Sequence, residues 1–335
     1  MQASHKPTIP CPVCGGTEVV TVATKDRNGN PLHNVLCQGC GLVWVDPQPS
    51  KQETEAFYTK DYRKSYKGTY QPKPKHCIRE TMRAINRANE LETHIEPGIR
   101  ILDIGAGAGF FAFVLLKKGI IIDGIEPNED YARFARESLG VSNVKTGFLL
   151  DIPAQEQYDL ITINHVFEHL PNPREAIDHI CKLLKPGGKL LLEVPNIEAT
   201  YHSPNKVFHV GHLYWYNPNT IKAMAASAGL RALQTTLKTG TKHIFIVFTK
   251  PDGPRGDNTE YTNEPLQACL DGNSTHVSRI LEQRSILKHY LTVKPYIRFT
   301  KKMLQYAKEN LNSSGSKDPK SICDSTYQRH CKHSA

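Results

Sequence analysis

Ile101-Leu102-Asp103-Ile104-Gly105-Ala106-Gly107-Ala108-Gly109 is the stretch from which this chain is best understood. A short apolar strand runs into a glycine-rich turn, and a helical stretch from Phe110 to Lys118 follows at once. A second apolar run, Ile120 to Ile125, ends at Glu126, seventeen residues after Gly109. Such a turn lets backbone approach a ligand closely, and an acidic residue about 20 positions on can grip the hydroxyls of a ribose. Taken alone, Glu126 could equally cap the helix that starts near Asn128.

The spacing of the glycines separates the ribose-bearing cofactors. A dinucleotide fingerprint reads G-x-G-x-x-G and turns a helix N-terminus toward a pyrophosphate. Here the spacing is G-x-G-x-G, with Asp103 just ahead of the loop. A carboxylate there repels pyrophosphate and suits a cation. S-adenosylmethionine carries a sulfonium and an ammonium and no phosphate, so the loop reads as a methyl-donor site. In that reading Asp103, Gly105, Gly107 and Gly109 take the methionine portion and Glu126 the ribose. Phe148 and Leu149 flank the adenine, and Asn164 lies at the end of a later strand facing the donor.

Two further segments extend the pattern. Tyr158-Asp159-Leu160-Ile161-Thr162-Ile163-Asn164-His165-Val166-Phe167-Glu168-His169-Leu170 is a strand with the loop leaving it, and Lys185-Pro186-Gly187-Gly188-Lys189-Leu190-Leu191-Leu192 is a turn into another. With these three motifs in order, the chain resembles the class I S-adenosylmethionine-dependent methyltransferases over roughly residues 97–250. The alternation of strands and helices predicts a parallel sheet covered on both faces. Strands are expected at Arg100–Ile104, Ile120–Ile125, Asn143–Thr146, Leu160–Asn164 and Lys189–Val194, with Thr235–Lys238 and His243–Phe248 as a terminal antiparallel pair. The expected fold class is thus α/β: a Rossmann-like, seven-stranded, mostly parallel sheet with an antiparallel last pair, preceded by a small β zinc ribbon.

The ribbon rests on cysteine spacing. Cys11-Pro12-Val13-Cys14 and Cys37-Gln38-Gly39-Cys40 are two C-x-x-C knuckles, each followed by glycine, and twinned knuckles supply four thiolates for one tetrahedral structural zinc. Between them lie two β-rich runs, Glu18 to Thr24 and His33 to Cys37, joined across Asn28-Gly29, a strong hairpin signal. So small a unit is expected to need its metal to fold. The other cysteines, Cys77, Cys181, Cys269, Cys323 and Cys331, have no partner at ligand spacing. A ribbon followed by Leu42-Val43-Trp44-Val45 and a Pro-x-Pro turn resembles the deoxysugar C-methyltransferases and related surface-glycan and secondary-metabolite enzymes. Those usually carry a further α/β domain, which the residues after 250 do not resemble.

Domains are expected at 1–50 (zinc ribbon), 51–96 (a helical cap containing a Pro/Lys-rich loop at Gly68–Lys75 and a helix at His76–Thr93) and 97–250 (methyltransferase). Residues 251–335 are expected as a polar linker, a helical extension over 264–311 and a disordered basic tail from Asn312. The net charge of +9 is concentrated there, ten Lys or Arg against three Asp or Glu from Ile286 onward. A basic tail of this sort is a solvated segment or a polyanion-binding arm, which leaves nucleic acid as a second class of partner beside a small-molecule acceptor. No apolar run approaches the ~20 residues that cross a bilayer, and no secretory signal is visible, so a cytoplasmic location is the expectation.

Methyl transfer needs in-line alignment and, for many acceptors, removal of a proton. His165, Glu168 and His169 follow the fourth strand of the motif set, and the Glu168-His169 pair resembles that of the sugar and quinone-precursor members of the family. Glu168 and His169 are therefore candidate catalytic residues, with His212 as a second candidate base. His169 could instead cap the loop before Pro171. His209, His212, Tyr214, Trp215 and Tyr216 form either an acceptor wall or the packing of the following helix. No Asn/Asp-Pro-Pro-Tyr/Phe motif, which marks amino-group methylation of bases and glutamine, occupies the place of Asn164-His165-Val166-Phe167. That directs the reading to an oxygen or carbon acceptor on a sugar or glycan precursor or a secondary metabolite. RNA methylation and a catalytically inactive scaffold are the alternatives.

Overall fold

The computed structural model describes residues 5–57, 59, 72–95, 98–154, 158–238, 242–252, 270–312 and 318–331. Among the described residues there are eleven strands: β1 (Val19–Lys25), β2 (Pro31–Cys37), β3 (Val43–Val45), β4 (Ile101–Ile104), β5 (Ile122–Glu126), β6 (Val144–Thr146), β7 (Tyr158–Asn164), β8 (Leu184–Pro195), β9 (Tyr214–Trp215), β10 (Arg231–Lys238) and β11 (His243–Thr249). Seven form one sheet in the order β10-β11-β8-β7-β4-β5-β6, parallel from β4 through β6 and antiparallel at β10-β11-β8. The order places late strands at one edge and β5 and β6 at the other, as the expected fold requires. All four residues of β4 are buried, the mark of a strand covered on both faces.

By internal contacts the chain forms two compact units, one of Met1–Lys51, Ala154–Gln157 and Ile163–Pro295, the other of Gln52–Pro153, Tyr158–Thr162 and Tyr296–Ala335. Within the first, the ribbon hairpin β1-β2 continues through β3 into β9, so a four-stranded antiparallel sheet ends on Tyr214 and Trp215. Its core joins Val20, Leu36, Val43 and Val45 to Ile197, Phe208, Trp215 and Val277. The ribbon is therefore sewn into residues 197–277 instead of standing alone. The start of the helix Asn273–Gln283 fastens the second knuckle: Asn273 Nδ2 donates to the Cys40 carbonyl at 2.7 Å and Ser274 Oγ to the Cys37 carbonyl at 3.0 Å.

In the second unit the helix Pro74–Glu90 buries Cys77, Ile78, Thr81, Ala84, Ile85 and Ala88 along one stripe. The C-terminal segment departs from expectation. Instead of a disordered tail, Pro319–Cys331 is a helix packed on Pro74–Glu90, with Ile322, Cys323 and Thr326 buried. Cys323 meets Cys77, both without solvent exposure, although the spacing gave neither a partner. Arg79 and Glu309 add an ion pair whose side chains are 14% and 6% exposed, tying the helix Lys294–Asn312 to the same surface. Lys301, Lys302, Lys320 and Arg329 are exposed on these helices, which is why composition alone read as solvated chain. Of the loop expected at Gly68–Lys75, residues 68–71 lie outside the described residues and the helix already begins at Pro74; the linker at 251–263 lies outside them beyond 252. No described helix is long and apolar enough to cross a membrane.

Candidate functional site

In the second unit, the glycine loop and the acid that follows it are joined directly. Gly107 N–H donates to Glu126 Oε2 at 2.8 Å, and Asn128 N–H donates to Oε1 at 3.1 Å. The capping reading of Glu126 does not hold, since Asn128 caps the next helix by accepting Tyr131 N–H at 3.0 Å. Gly107 and Gly109 have φ of 58° and 77°, and a Cβ on Gly109 would stand 2.6 Å from that of Ala135. Only glycine gives this turn without strain or collision.

Asp103 faces inward. It is 3% exposed and accepts the Thr162 hydroxyl at 2.6 Å. Burial raises its carboxyl above the usual range, against the Arg87 charge and the Thr162 bond. This bond braces β4 against Thr162. Leu149 is buried and Phe148 half-buried at a short turn held by Phe148 N–H on Asp151 Oδ2 at 2.7 Å.

In the first unit, Asn164 ends β7 half-buried and the backbone then turns through His165 with φ of 54°. Positive φ in a residue with a side chain is strained, and such strain persists where surroundings enforce it, commonly at working sites. Here His165 N–H donates to the Glu193 carbonyl at 2.8 Å. Its Nε2 lies 3.1 Å from Glu193 Oε1, and its Nδ1 lies 3.6 Å from Glu168 Oε1. Burial opposes charge on this ring, but the two carboxylates prevail and lift it to about 9. Glu193 also receives Lys238 Nζ at 3.0 Å and faces His243 Nδ1 at 3.2 Å. Burial pushes Glu193 upward, yet these cationic partners hold it far below the carboxylate range.

Beside this lies a second group. Glu168 is 1% exposed, and neither carboxylate oxygen has a hydrogen bond among the described residues. Around its Oε1 stand His212 Nε2 at 3.7 Å and His169 Nε2 at 3.8 Å. His169 Nδ1 meets the Gly211 carbonyl; a carbonyl only accepts, so this nitrogen carries the proton and Nε2 presents its lone pair in the neutral ring. Burial, then the nearby His209 and His169, pull His212 well below the ordinary histidine value. His209 stacks on it at 3.8 Å between ring centroids and is itself lowered to about 3 by burial.

The His212 segment is positioned by the ribbon. Leu213 N–H donates to the Glu168 carbonyl at 3.0 Å, Val45 N–H to the Leu213 carbonyl at 3.0 Å, and Trp44 pairs with Tyr214 across β3 and β9. Tyr214, Trp215 and Tyr216 are 1%, 3% and 0% exposed, so of the two sequence readings for these aromatics the structure supports packing. Tyr216 meets Phe167, and Trp215 meets Phe208.

The four cysteines converge. Cys11 Sγ lies 3.4 Å from Cys40 Sγ and Cys14 Sγ 3.5 Å from Cys37 Sγ, all four within 4.8 Å of one another. Sulfurs about 2.3 Å from a tetrahedral zinc stand about 3.8 Å apart, close to this spacing. A Cβ on Gly16 would meet Cys14 and Cys37 Sγ at 3.2 and 3.3 Å, so the backbone closes tightly around the sulfurs. The donor set suits a structural zinc and leaves no position open.

Sequence reasoning did not assign Glu193, His243 or Lys238. The available signal was a lone carboxylate following the apolar Leu190–Leu192 run of β8; its partners Lys238 and His243 come from β10 and β11, by pairing that spacing does not reveal.

Residues 75–235 match a family model described as a methyltransferase domain. Among curated relatives, the ubiquinone biosynthesis O-methyltransferase of Coxiella burnetii strain Dugway 5J108-111 is 27% identical over 157 residues, 42% of this chain and 66% of that enzyme. The enzyme of the same name from Stutzerimonas stutzeri is 30% identical over 117 residues, 33% of this chain and 50% of the relative. The chain thus spans about two thirds or less of these relatives. Magnesium protoporphyrin IX methyltransferase from Synechocystis PCC 6803, solved with bound S-adenosylhomocysteine, aligns at 15% identity and a TM-score of 0.48 over 60% of this chain and 100% of that one. The chain therefore carries a class I S-adenosylmethionine-dependent methyltransferase domain.

Proposed function

We propose that the protein moves the methyl group of S-adenosylmethionine to an oxygen of a small hydroxylated acceptor. The observation that carries this is the Glu126 carboxylate bound to Gly107 N–H, which sets the ribose-gripping acid and the glycine loop as one preformed cradle. Gly105, Gly107 and Gly109 then take the methionine portion of the donor, Phe148 and Leu149 the adenine, and Asn164 the donor's reacting end. Asp103 acts on the loop by fixing β4. Oxygen is favoured over carbon because the curated relatives named above are O-methyltransferases.

Glu168, His169 and His212 are assigned to the acceptor hydroxyl. In the transfer, the acceptor's oxygen forms a bond to the methyl carbon, the carbon–sulfur pair returns to sulfur, and the hydroxyl proton must leave. Neutral imidazole beside a buried carboxylate suits that last task. The four cysteines hold a structural zinc, and the ribbon sets the His212 segment. Sugar or glycan precursors and secondary metabolites are the acceptor class. The test is to incubate the full chain with methyl-labelled S-adenosylmethionine and panels of sugar, enol and phenol hydroxyls. Label must enter a small hydroxylated acceptor and vanish in His169→Ala; label entering RNA alone would overturn the proposal.

A further inference from the structure

We propose that Glu168, His169 and His212 are the protein ligands of a second metal, a first-row divalent cation of zinc type, with one coordination position left for an acceptor oxygen. This rests on the methyl-transfer reading for its chemical purpose, though not for the site itself.

Glu168 shows what is missing from a purely hydrogen-bonded cluster. Its carboxylate is 1% exposed, yet neither oxygen accepts a hydrogen bond among the described residues. A desolvated carboxylate compensated only at a distance is still costly. Three imidazoles face its Oε1: His165 Nδ1 at 3.6 Å, His212 Nε2 at 3.7 Å and His169 Nε2 at 3.8 Å. Those separations exceed a hydrogen bond. They suit an ion between the atoms: donors each about 2.1 Å from a tetrahedral cation lie about 3.4 Å apart, and angles of about 124–130° in a distorted site reach the observed His212 and His169 values. The oxygen and the His212 and His169 nitrogens all fall within 4.8 Å of one another.

The tautomer is also set. His169 gives its Nδ1 proton to the Gly211 carbonyl, which turns the Nε2 lone pair toward Glu168, the arrangement that orients metal-binding histidines. Two imidazoles and one carboxylate form the donor set of catalytic zinc sites, which keep the fourth position open. Imidazole donors also favour a zinc-like ion over magnesium or calcium.

The neighbouring cluster makes the contrast. Glu193 already has His165 at 3.1 Å, His243 at 3.2 Å and the Lys238 ammonium at 3.0 Å, so its charge is compensated by direct contacts. A cation there would have to displace the ammonium. The structure thus singles out Glu168. When bound, the ion would act as a Lewis acid on the acceptor hydroxyl. With the ion bound, the His169 and His212 lone pairs would be held by the metal, so the hydroxyl proton would pass to water instead of to imidazole, while the oxygen pair forms the bond to the methyl carbon and the carbon–sulfur pair returns to sulfur.

The test loads the chelator-stripped full chain with Co²⁺, counts the metal by mass spectrometry and records absorption spectra. Expected is one equivalent with the near-ultraviolet charge-transfer bands of thiolate ligands, from the ribbon, and a second without them. Glu168→Gln and His212→Asn should each weaken the second equivalent by at least about tenfold while the thiolate bands stay. Glu193→Gln should keep both. Binding of only the thiolate-ligated equivalent by the unaltered chain would overturn the proposal, whatever the variants do. So would a second equivalent that survives Glu168→Gln, or one lost in Glu193→Gln alone. S-adenosylmethionine titration on the same samples tests the methyl-transfer reading separately, since donor binding and metal count can fail independently.

Discussion

Glu126 meets Gly107 across nineteen residues, inside a single run of strand, turn, helix and strand, whereas Glu168 is surrounded by imidazoles supplied from positions 165, 169 and 212. The proposed donor cradle is local in sequence, and both Glu126 oxygens accept a backbone N–H. The histidine cluster is assembled over longer range and keeps a buried carboxylate with no hydrogen bond among the described residues. Local construction yields a rigid binding site whose parts can be recognised in order. Long-range construction yields a site held in place by a distant module, here the cysteine ribbon through Val45 and Leu213.

The sharpest way to separate the halves is His169→Ala. Turnover should fall about 10²–10⁴-fold while calorimetric affinity for S-adenosylmethionine is unchanged. Loss of donor affinity to the same degree would erase the distinction between the two regions. Next comes the C-terminal helix of the donor-binding unit. Ile322 is 5% exposed, so Ile322→Ala should cost about 2–5 kcal/mol in denaturant unfolding, where a solvated tail would cost nothing.

Glu126→Ala should weaken donor binding about ten- to hundredfold, since charged hydrogen bonds contribute about 1.5–3 kcal/mol. Turnover at saturating donor should change much less. Cys37→Ser should release the ribbon's metal and lower turnover about tenfold at unchanged donor affinity, as expected for a supporting shell. Proteolysis should then open the knuckle at Cys11–Gly16 while β2 and β3 stay protected, because Leu36, Val43 and Val45 share a core with Phe208 and Trp215. Wholesale loss of residues 1–46 would instead show an independent ribbon.

The smallest effect expected is on acid stability. Burial raises Glu309, but Arg79 outweighs it and lowers its pKa below the unfolded value. A depressed folded pKa contributes stability above the unfolded value of about 4.3, and that contribution is lost as pH falls through the folded one. The melting-temperature gap between the unaltered protein and Glu309→Gln should persist at neutral pH and close below about pH 4.

The glycine loop, Glu126 and the β-strand positions were legible because each depends on a short periodic pattern. The cysteine knuckles were legible because ligand spacing is itself a covalent constraint. Asp103 was legible as important but not as buried, since its partner Thr162 lies on another strand. The tail was misread because its lysines and arginines mask a helix whose buried stripe is only Ile322, Cys323 and Thr326.

By itself, then, the sequence determined the order of strands, the donor loop with its acid, and the four thiolates, all features carried by neighbours within a few tens of residues. Tertiary structure alone decided that β3 pairs with β9, that Cys77 meets Cys323, and that Glu193 gains direct hydrogen bonds while Glu168 does not. The physical reason is range. Backbone periodicity and ligand spacing act along the chain, but the compensation of a buried charge depends on which distant side chains the fold brings within about 4 Å.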